Sequence, residues 1–290
     1  MKIQTFSIIC GSAACNAKCP YCVSQMTPSC GIKIKQPNVN WRNFKVASAL
    51  AQKAGATTAM LTGKGEPTLW PRLIEQYLKV LHNDFPLIEL QTNGINLSNG
   101  QISDEELYMF YAHGLTTVAI SIVHWEDDKN KEIYLPHRDA YPSLIKLIKR
   151  LHDIGLSVRL NCTMLRDYVG SRNEVLSLID FARTHKVEQL TLVPVNAPIN
   201  TDTEQSKWIN NHHVTEDDYA EIKYHLELTG SLLMELPHGA AVFDYEGQNV
   251  CLSNCLNNGK YNDKSVIRNL IFFPDGHLRY DWEHSGATLL

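Results

Sequence analysis

Apolar residues along this chain fall into short runs separated by stretches of helical period. β-like runs occur at residues 6–10, 57–62, 87–92, 116–122, 156–163 and 189–193. Each has the length and β-branched content of a buried strand. Between them, residues 41–54 and 71–83 predict helices, the second with Pro71 in its first turn. Residues 104–113 start with an acidic turn and stop at Gly114. Residues 141–154 place Leu144, Leu147, Ile148 and Leu151 on one stripe and end at Gly155. Residues 171–186 repeat the pattern with Val175, Leu178, Ile179 and Ala182. Strands alternating with helices predict βα units and a parallel sheet, an α/β fold.

From about Ala197 the rhythm breaks. Residues 196–213 are polar and predict a loop, as does the mixed-charge run at 126–132. Residues 214–231 predict a helix capped by Thr215, and 240–242 form a short apolar piece. Residues 267–273 and 277–282 flank Pro274, Asp275 and Gly276, a hairpin turn. The expected division is a core over residues 1–196 and an extension over 197–290. That extension is expected to close the mouth or edge of the core as a small α+β appendage, not as an independent globular domain.

The 290 residues suffice for one barrel-sized domain or two ordinary ones. A formal net charge of −4 argues against nonspecific nucleic-acid binding, though not against a specific RNA pocket. The first residues lack a basic region followed by a long apolar run, and no segment has the apolar length to span a bilayer. The expectation is no signal peptide, no membrane partner and a cytoplasmic location. Eight cysteines, three of them clustered, suggest metal ligands in a reducing compartment.

Cys15, Cys19 and Cys22 follow the first apolar run with three and two residues between them. A closed structural zinc site wants four protein ligands. Bacterial ferredoxins use a four-cysteine run. Three thiolates in one loop suit a [4Fe–4S] cluster with one iron left open; a zinc loop or plain surface thiols are the alternatives. With Tyr21 before the last cysteine, this loop resembles that of the radical SAM superfamily. The resemblance implies that the open iron chelates the amino and carboxylate groups of S-adenosylmethionine (SAM). It further implies that cluster reduction splits SAM to a 5′-deoxyadenosyl radical, with a low-potential donor of the flavodoxin or ferredoxin type. The six βα units match that family's partial (β/α)6 barrel of TIM type, whose sites lie at the C-terminal ends of the strands.

Further motifs follow the predicted strands. Gly63, Lys64, Gly65, Glu66 and Pro67 resemble the family's Gly-Gly-Glu-Pro motif, which holds the SAM amino group; Lys64 stands in place of the usual first glycine. Thr92, Asn93 and Gly94 resemble the Thr-Asn-Gly turn of the molybdenum-cofactor GTP cyclase and of the peptide-modifying SPASM enzymes. Their polar side chains face SAM or substrate there. The resemblance implies a SAM contact for Ser121 and an adenine contact for Val193. Alternation puts Arg159, Asn161 and Thr163 on one face of their strand. A buried Arg159 needs a partner, either the SAM carboxylate or an internal acid.

Cys251 and Cys255, ahead of the Pro274–Gly276 turn, resemble the auxiliary-cluster half of the Twitch and SPASM enzymes. Asp281 stands where a last cysteine is expected. The readings are a second iron–sulfur cluster completed by Asp281 or Cys30, a zinc site with His238 or His277, or inert thiols on a retained scaffold. Cys10, Cys30 and Cys162 otherwise read as buried thiols. The function expected is hydrogen abstraction from a small molecule, a nucleotide or a peptide. A glycyl-radical activase and a non-catalytic iron–sulfur electron carrier are the alternatives.

Overall fold

Each apolar run becomes a strand, and the amphipathic stretches become helices that return the chain to the next one. The computed structural model describes residues 2–137, 141–198, 201–253 and 266–290. Strands β1 (Lys2–Ile9), β2 (Thr58–Thr62), β3 (Leu87–Thr92), β4 (Thr117–Ile122), β5 (Ser157–Met164) and β6 (Gln189–Pro194) lie side by side, all parallel. The returning helices are α2 (Trp41–Lys53), α3 (Pro71–Leu81), α5 (Asp104–Ala112), α7 (Leu144–Ile154) and α8 (Arg172–Thr184). Short helices α1 (Val23–Met26) and α4 (Ile95–Ser98) lie in the connections after β1 and β3. Ser103 with Glu106, and Ser171 with Glu174, close capping boxes that fix where α5 and α8 begin.

Alternation along the strands sorts the two faces of the sheet. Phe6, Leu61, Leu90, Ile120, Leu160 and Leu192 are buried in one core with Leu73, Leu78, Leu147, Leu151 and Leu178 of the helices. Each such side chain contributes about 1.5–3 kcal/mol on leaving water. The opposite, inner face is polar. Arg159, Asn161 and Thr163 alternate with buried Leu160 and Cys162, and the register sets Ser121 beside Asn161 and Asn161 beside Thr191.

Two stretches expected as loops are helical. The charged run at 126–132 lies largely in α6 (Asp127–Tyr134), because Asp127 and Asp128 suit a helix N-terminus while Ile133 and Tyr134 are buried. The polar stretch before residue 213 contains α9 (Glu204–His212), started by the Thr203–Ser206 capping box and anchored by Ile209. Helix α10 (Glu216–Thr229) begins at Thr215, whose hydroxyl accepts from the Asp218 N–H.

The extension does more than decorate an edge. Strands β7 (Ser231–Glu235), β8 (Ala241–Tyr245) and β9 (Gln248–Leu252) form an antiparallel meander whose last strand pairs parallel with β6. Strand β10 (Val266–Phe272) pairs parallel with β1 at the other edge, and β11 (Leu278–Arg279) turns back on it through the expected hairpin. The six-stranded parallel array is thereby extended at both edges, in the order β11-β10-β1-β2-β3-β4-β5-β6-β9-β8-β7. Among the described residues β7 and β11 do not pair, so the barrel is open. Phe243, Val250, Leu270 and Phe272 of the extension share the main core. No helix among the described residues is long and apolar enough to cross a membrane.

Phe44 links the parts: its ring packs on Phe6 of β1, on Tyr77 of α3 and on Phe272 of β10. Phe44→Ala is expected to cost about 3–5 kcal/mol in denaturant unfolding. A loss under about 1 kcal/mol would mean that β10 is held by other contacts.

Candidate functional site

The loop that carries the cysteines leaves the C-terminal end of β1. Cys15, Cys19 and Cys22 line one cavity of about 180 Å³ together with Lys64 and Gly65. Among the described residues no three His, Cys, Asp or Glu side chains converge on a single ion-sized point. Thiols spread around a cavity suit a cluster, in which each sulfur binds a different iron, better than one zinc ion. Burial pushes the Cys15 thiol up to about 11, with the Glu66 carboxylate adding to it. Burial, then Cys15 and Cys22, raise Cys19 further. These sulfurs become good ligands only when a cation replaces their protons.

The motif after β2 is strapped onto this loop. The Glu66 N–H donates to the Ala14 carbonyl at 2.9 Å. A Cβ on Gly65 would lie 2.0 Å from the same carbonyl oxygen, so this crossing admits only glycine. At Gly63 a Cβ would lie 2.9 Å from the Gly65 carbonyl oxygen.

Glu66 joins three motifs that the sequence showed separately. Its Oε1 accepts from the Thr68 N–H at 3.0 Å, the Thr68 hydroxyl at 2.6 Å and the Thr92 hydroxyl at 2.7 Å. Its Oε2 accepts from the Asn93 N–H at 3.0 Å. Burial raises this carboxyl above its ordinary range, and the hydrogen bonds from Asn93, Thr68 and Thr92 pull it back. The Asn93 amide donates to Asn16 Oδ1 at 2.7 Å, within the cysteine loop, and Asn16 donates to Asn96 Oδ1 at 2.9 Å. Asn96 in turn donates to the Thr68 carbonyl at 3.1 Å. Thr68, Asn16 and Asn96 were not singled out from the sequence; Thr68 directly after the motif and Asn16 between two cysteines were the available signals.

The other candidates lie around this frame. Tyr21 packs beside Trp208 of α9, ring centroids 6.0 Å apart. The Tyr21 and Tyr134 hydroxyls are buried near one another without a well-formed hydrogen bond. Ser121, Asn161 and Val193 stand half-buried on the inner face of β4, β5 and β6. Arg159 lies two residues before Asn161 and is paired with an internal acid, Glu89 of β3, at 2.5 Å. Burial pushes the Glu89 carboxyl up and Arg159 pulls it down.

The second cysteine region offers less. Cys251 lies on β9 in register with Thr191, and Cys255 lies outside the described residues. Asp281 Oδ1 accepts from the Glu283 and His284 N–H groups, a local cap. His277 pairs with Asp275 at 2.9 Å. Burial and the Arg268 guanidinium push His238 down to about 4. Cys30 packs with Ile9, Ile32, Phe273 and Trp282 on the β1–β10 side. Among the described residues no third ligand gathers around Cys251.

The first site fits a [4Fe–4S] cluster and SAM on three counts. It has three thiols around one cavity, a glycine cradle against the cysteine loop, and two buried hydroxyls lacking a well-formed hydrogen bond.

Comparison with known proteins agrees. Residues 9–192 match the Radical SAM superfamily. A GTP 3′,8-cyclase of Chlorobaculum tepidum is 28% identical over 179 residues, 60% of this chain and 48% of the cyclase. The chain therefore spans about half the length of that relative. Streptococcus suis SuiB superposes with a TM-score of 0.60 at 13% identity, over 97% of this chain and 60% of SuiB. Native anSMEcpe with bound AdoMet gives 0.58 at 15% identity, over 96% of this chain and 74% of the other. At such identities the two structures show a shared fold. With more than half its length matched, this chain belongs to the radical SAM superfamily, enzymes that work with a [4Fe–4S] cluster and SAM.

Proposed function

We propose that the enzyme binds its cluster through Cys15, Cys19 and Cys22, cleaves SAM reductively, and abstracts hydrogen from a polar small molecule or nucleotide held against the inner face of the sheet. The observation that carries this reading is the inner face itself. Among the described residues the side chains of Ser121, Asn161 and Thr191 make no hydrogen bond within the protein, Thr163 lies at the Tyr21 hydroxyl, and below them Glu89 and Arg159 present both signs of charge. Such a surface leaves donors and acceptors for a substrate that carries its own. Likeness to a GTP 3′,8-cyclase supports a nucleotide among such substrates.

When bound, the reduced cluster supplies the electron that splits the SAM sulfonium and starts the radical chemistry. The chain's share is to bind, orient and exclude water. Gly65 brings a backbone close to the cysteine loop, leaving carbonyl and amide groups for the SAM amino end. Glu66 spends most of its acceptor capacity on the frame and keeps one acceptor position on Oε2 for an ammonium. Gly63, Thr92 and Asn93 hold that frame; Tyr21, Ser121, Asn161 and Val193 line the remainder. A low-potential flavodoxin or ferredoxin is the proposed donor, and the cytoplasm the proposed compartment.

A peptide substrate is the second reading, favoured by β7. Among the described residues this edge strand has no partner on its outer side, and Leu232, Leu233 and Met234 are each more than half exposed. An extended peptide could add to it as a further strand.

The Cys15→Ala/Cys19→Ala/Cys22→Ala variant should lose the roughly four irons of one cluster and all 5′-deoxyadenosine formation with dithionite and SAM. Iron retained together with SAM cleavage would sink the assignment, and wild type without deoxyadenosine would favour a bare electron carrier. Glu66→Ala tests the frame. It strands donors of Thr68, Thr92 and Asn93, at about 1–3 kcal/mol for each left without a partner. Unfolding measurements should show that loss, and anaerobic calorimetry a weaker affinity for SAM. Wild-type stability in that variant would show that the frame does not depend on this carboxylate.

A further inference from the structure

Lys64 is a buried cation with no countercharge among the described residues. It is 7% exposed, and Nζ donates to the Thr27 hydroxyl at 2.5 Å. That hydroxyl donates to the Val23 carbonyl at 2.9 Å, the first residue of α1 and the one directly after Cys22. The ammonium is thus tethered to the turn that carries a cysteine of the site. It also lies 5.9 Å from the centre of the Trp282 ring. Among the described residues no carboxylate pairs with it. Among the described residues it is the one charged side chain lining the cavity with Cys15, Cys19 and Cys22. A buried ion without a partner is costly, and a chain that keeps one normally meets it with an opposite charge. Here the facing groups are thiols. A [4Fe–4S] cluster on three thiolates is anionic when oxidised and gains a further negative charge on reduction.

We propose that Lys64 is the fixed counter-ion of the cluster and raises its reduction potential. An ammonium held in a low-dielectric wall stabilises the more negative, reduced state, and net charge is one of the factors that set the potential of such clusters. One electron enters the cluster from the low-potential donor; no bond forms or breaks, and Lys64 keeps its proton. Lys64 is a positioning residue that acts through the cluster. The inference rests on the assignment of Cys15, Cys19 and Cys22 as cluster ligands.

The test compares full-length wild type, Lys64→Met and Lys64→Arg after anaerobic reconstitution. Iron per chain is measured first, and then the midpoint potential by EPR-monitored redox titration without SAM. Lys64→Met should hold wild-type iron while its reduced-to-oxidised ratio at the wild-type midpoint falls about tenfold, a shift of about 59 mV for a one-electron couple. Lys64→Arg should stay within about twofold of wild type, since it keeps the charge. A Lys64→Met midpoint equal to wild type overturns the proposal. So does a shift seen only after SAM is added, which would place the ammonium on the SAM carboxylate. If Lys64→Met does not fold or load iron, Thr27→Val replaces it. That variant frees the ammonium from its tether and should also move the midpoint negative, and an unmoved midpoint overturns the proposal. Wild type that loads no iron on these cysteines would defeat the ligand assignment itself; loaded proteins of equal potential defeat only the role of Lys64.

Discussion

The arrangement around the cavity depends on one buried carboxylate. Glu66 draws donors from the turn that follows it and from the end of β3, while its own N–H ties the cysteine loop after β1. Three loops at the C-terminal ends of neighbouring strands are thereby fixed relative to one another. A carboxylate shut away from water tolerates this only because four donors converge on its oxygens. A partly supplied carboxylate would drive the loops apart, and with them the three thiols. Gly65 makes the contact possible, since any side chain there would push the strap off the Ala14 carbonyl.

The sheet supports this frame by keeping its two faces chemically distinct. The helix side is apolar and close-packed, while the inner side carries hydroxyls, amides and the Glu89–Arg159 pair. Isolated ions on that face would be costly, so the pair is held as a unit beside Ala119, whose small side chain lies in register with Arg159. Strands β9 and β10 extend the array and bring Val250, Leu252, Leu270 and Phe272 to the main core, while Ile271 joins a small apolar cluster with Ile9, Ile32 and Phe273.

Much of this was legible in the chain, for reasons that differ by element. The six buried strands announced themselves because helices cover one face and leave apolar runs; β1 starts earlier than its apolar run because β10 pairs with it as far down as Lys2. Helices α6 and α9 were hidden, being short and polar and held by a few buried side chains such as Ile133, Tyr134 and Ile209. Strand β7 shows no burial alternation at all, and β9 alternates but places Gln248 at one of its three buried positions, so neither gave an apolar signal. The motifs at 15–22, 63–67 and 92–94 were readable one at a time. Their meeting at a single carboxylate was not, because Thr92 and Glu66 are brought together only by strand register. The partner of Arg159 likewise depended on which acid faces the same side two strands away.

The pairing of Lys2 with Val266 also bears on how the protein comes into being. Chains are synthesised from the N-terminus, and contacts between distant residues form late because closing long loops costs entropy. Strand β1 emerges from the ribosome long before β10, so one of its edges stays uncovered until nearly the whole sheet exists. The cysteine loop directly follows that strand. Its thiols are therefore made early and enclosed late, which leaves a biosynthetic window in which an iron carrier, or oxygen, can reach them.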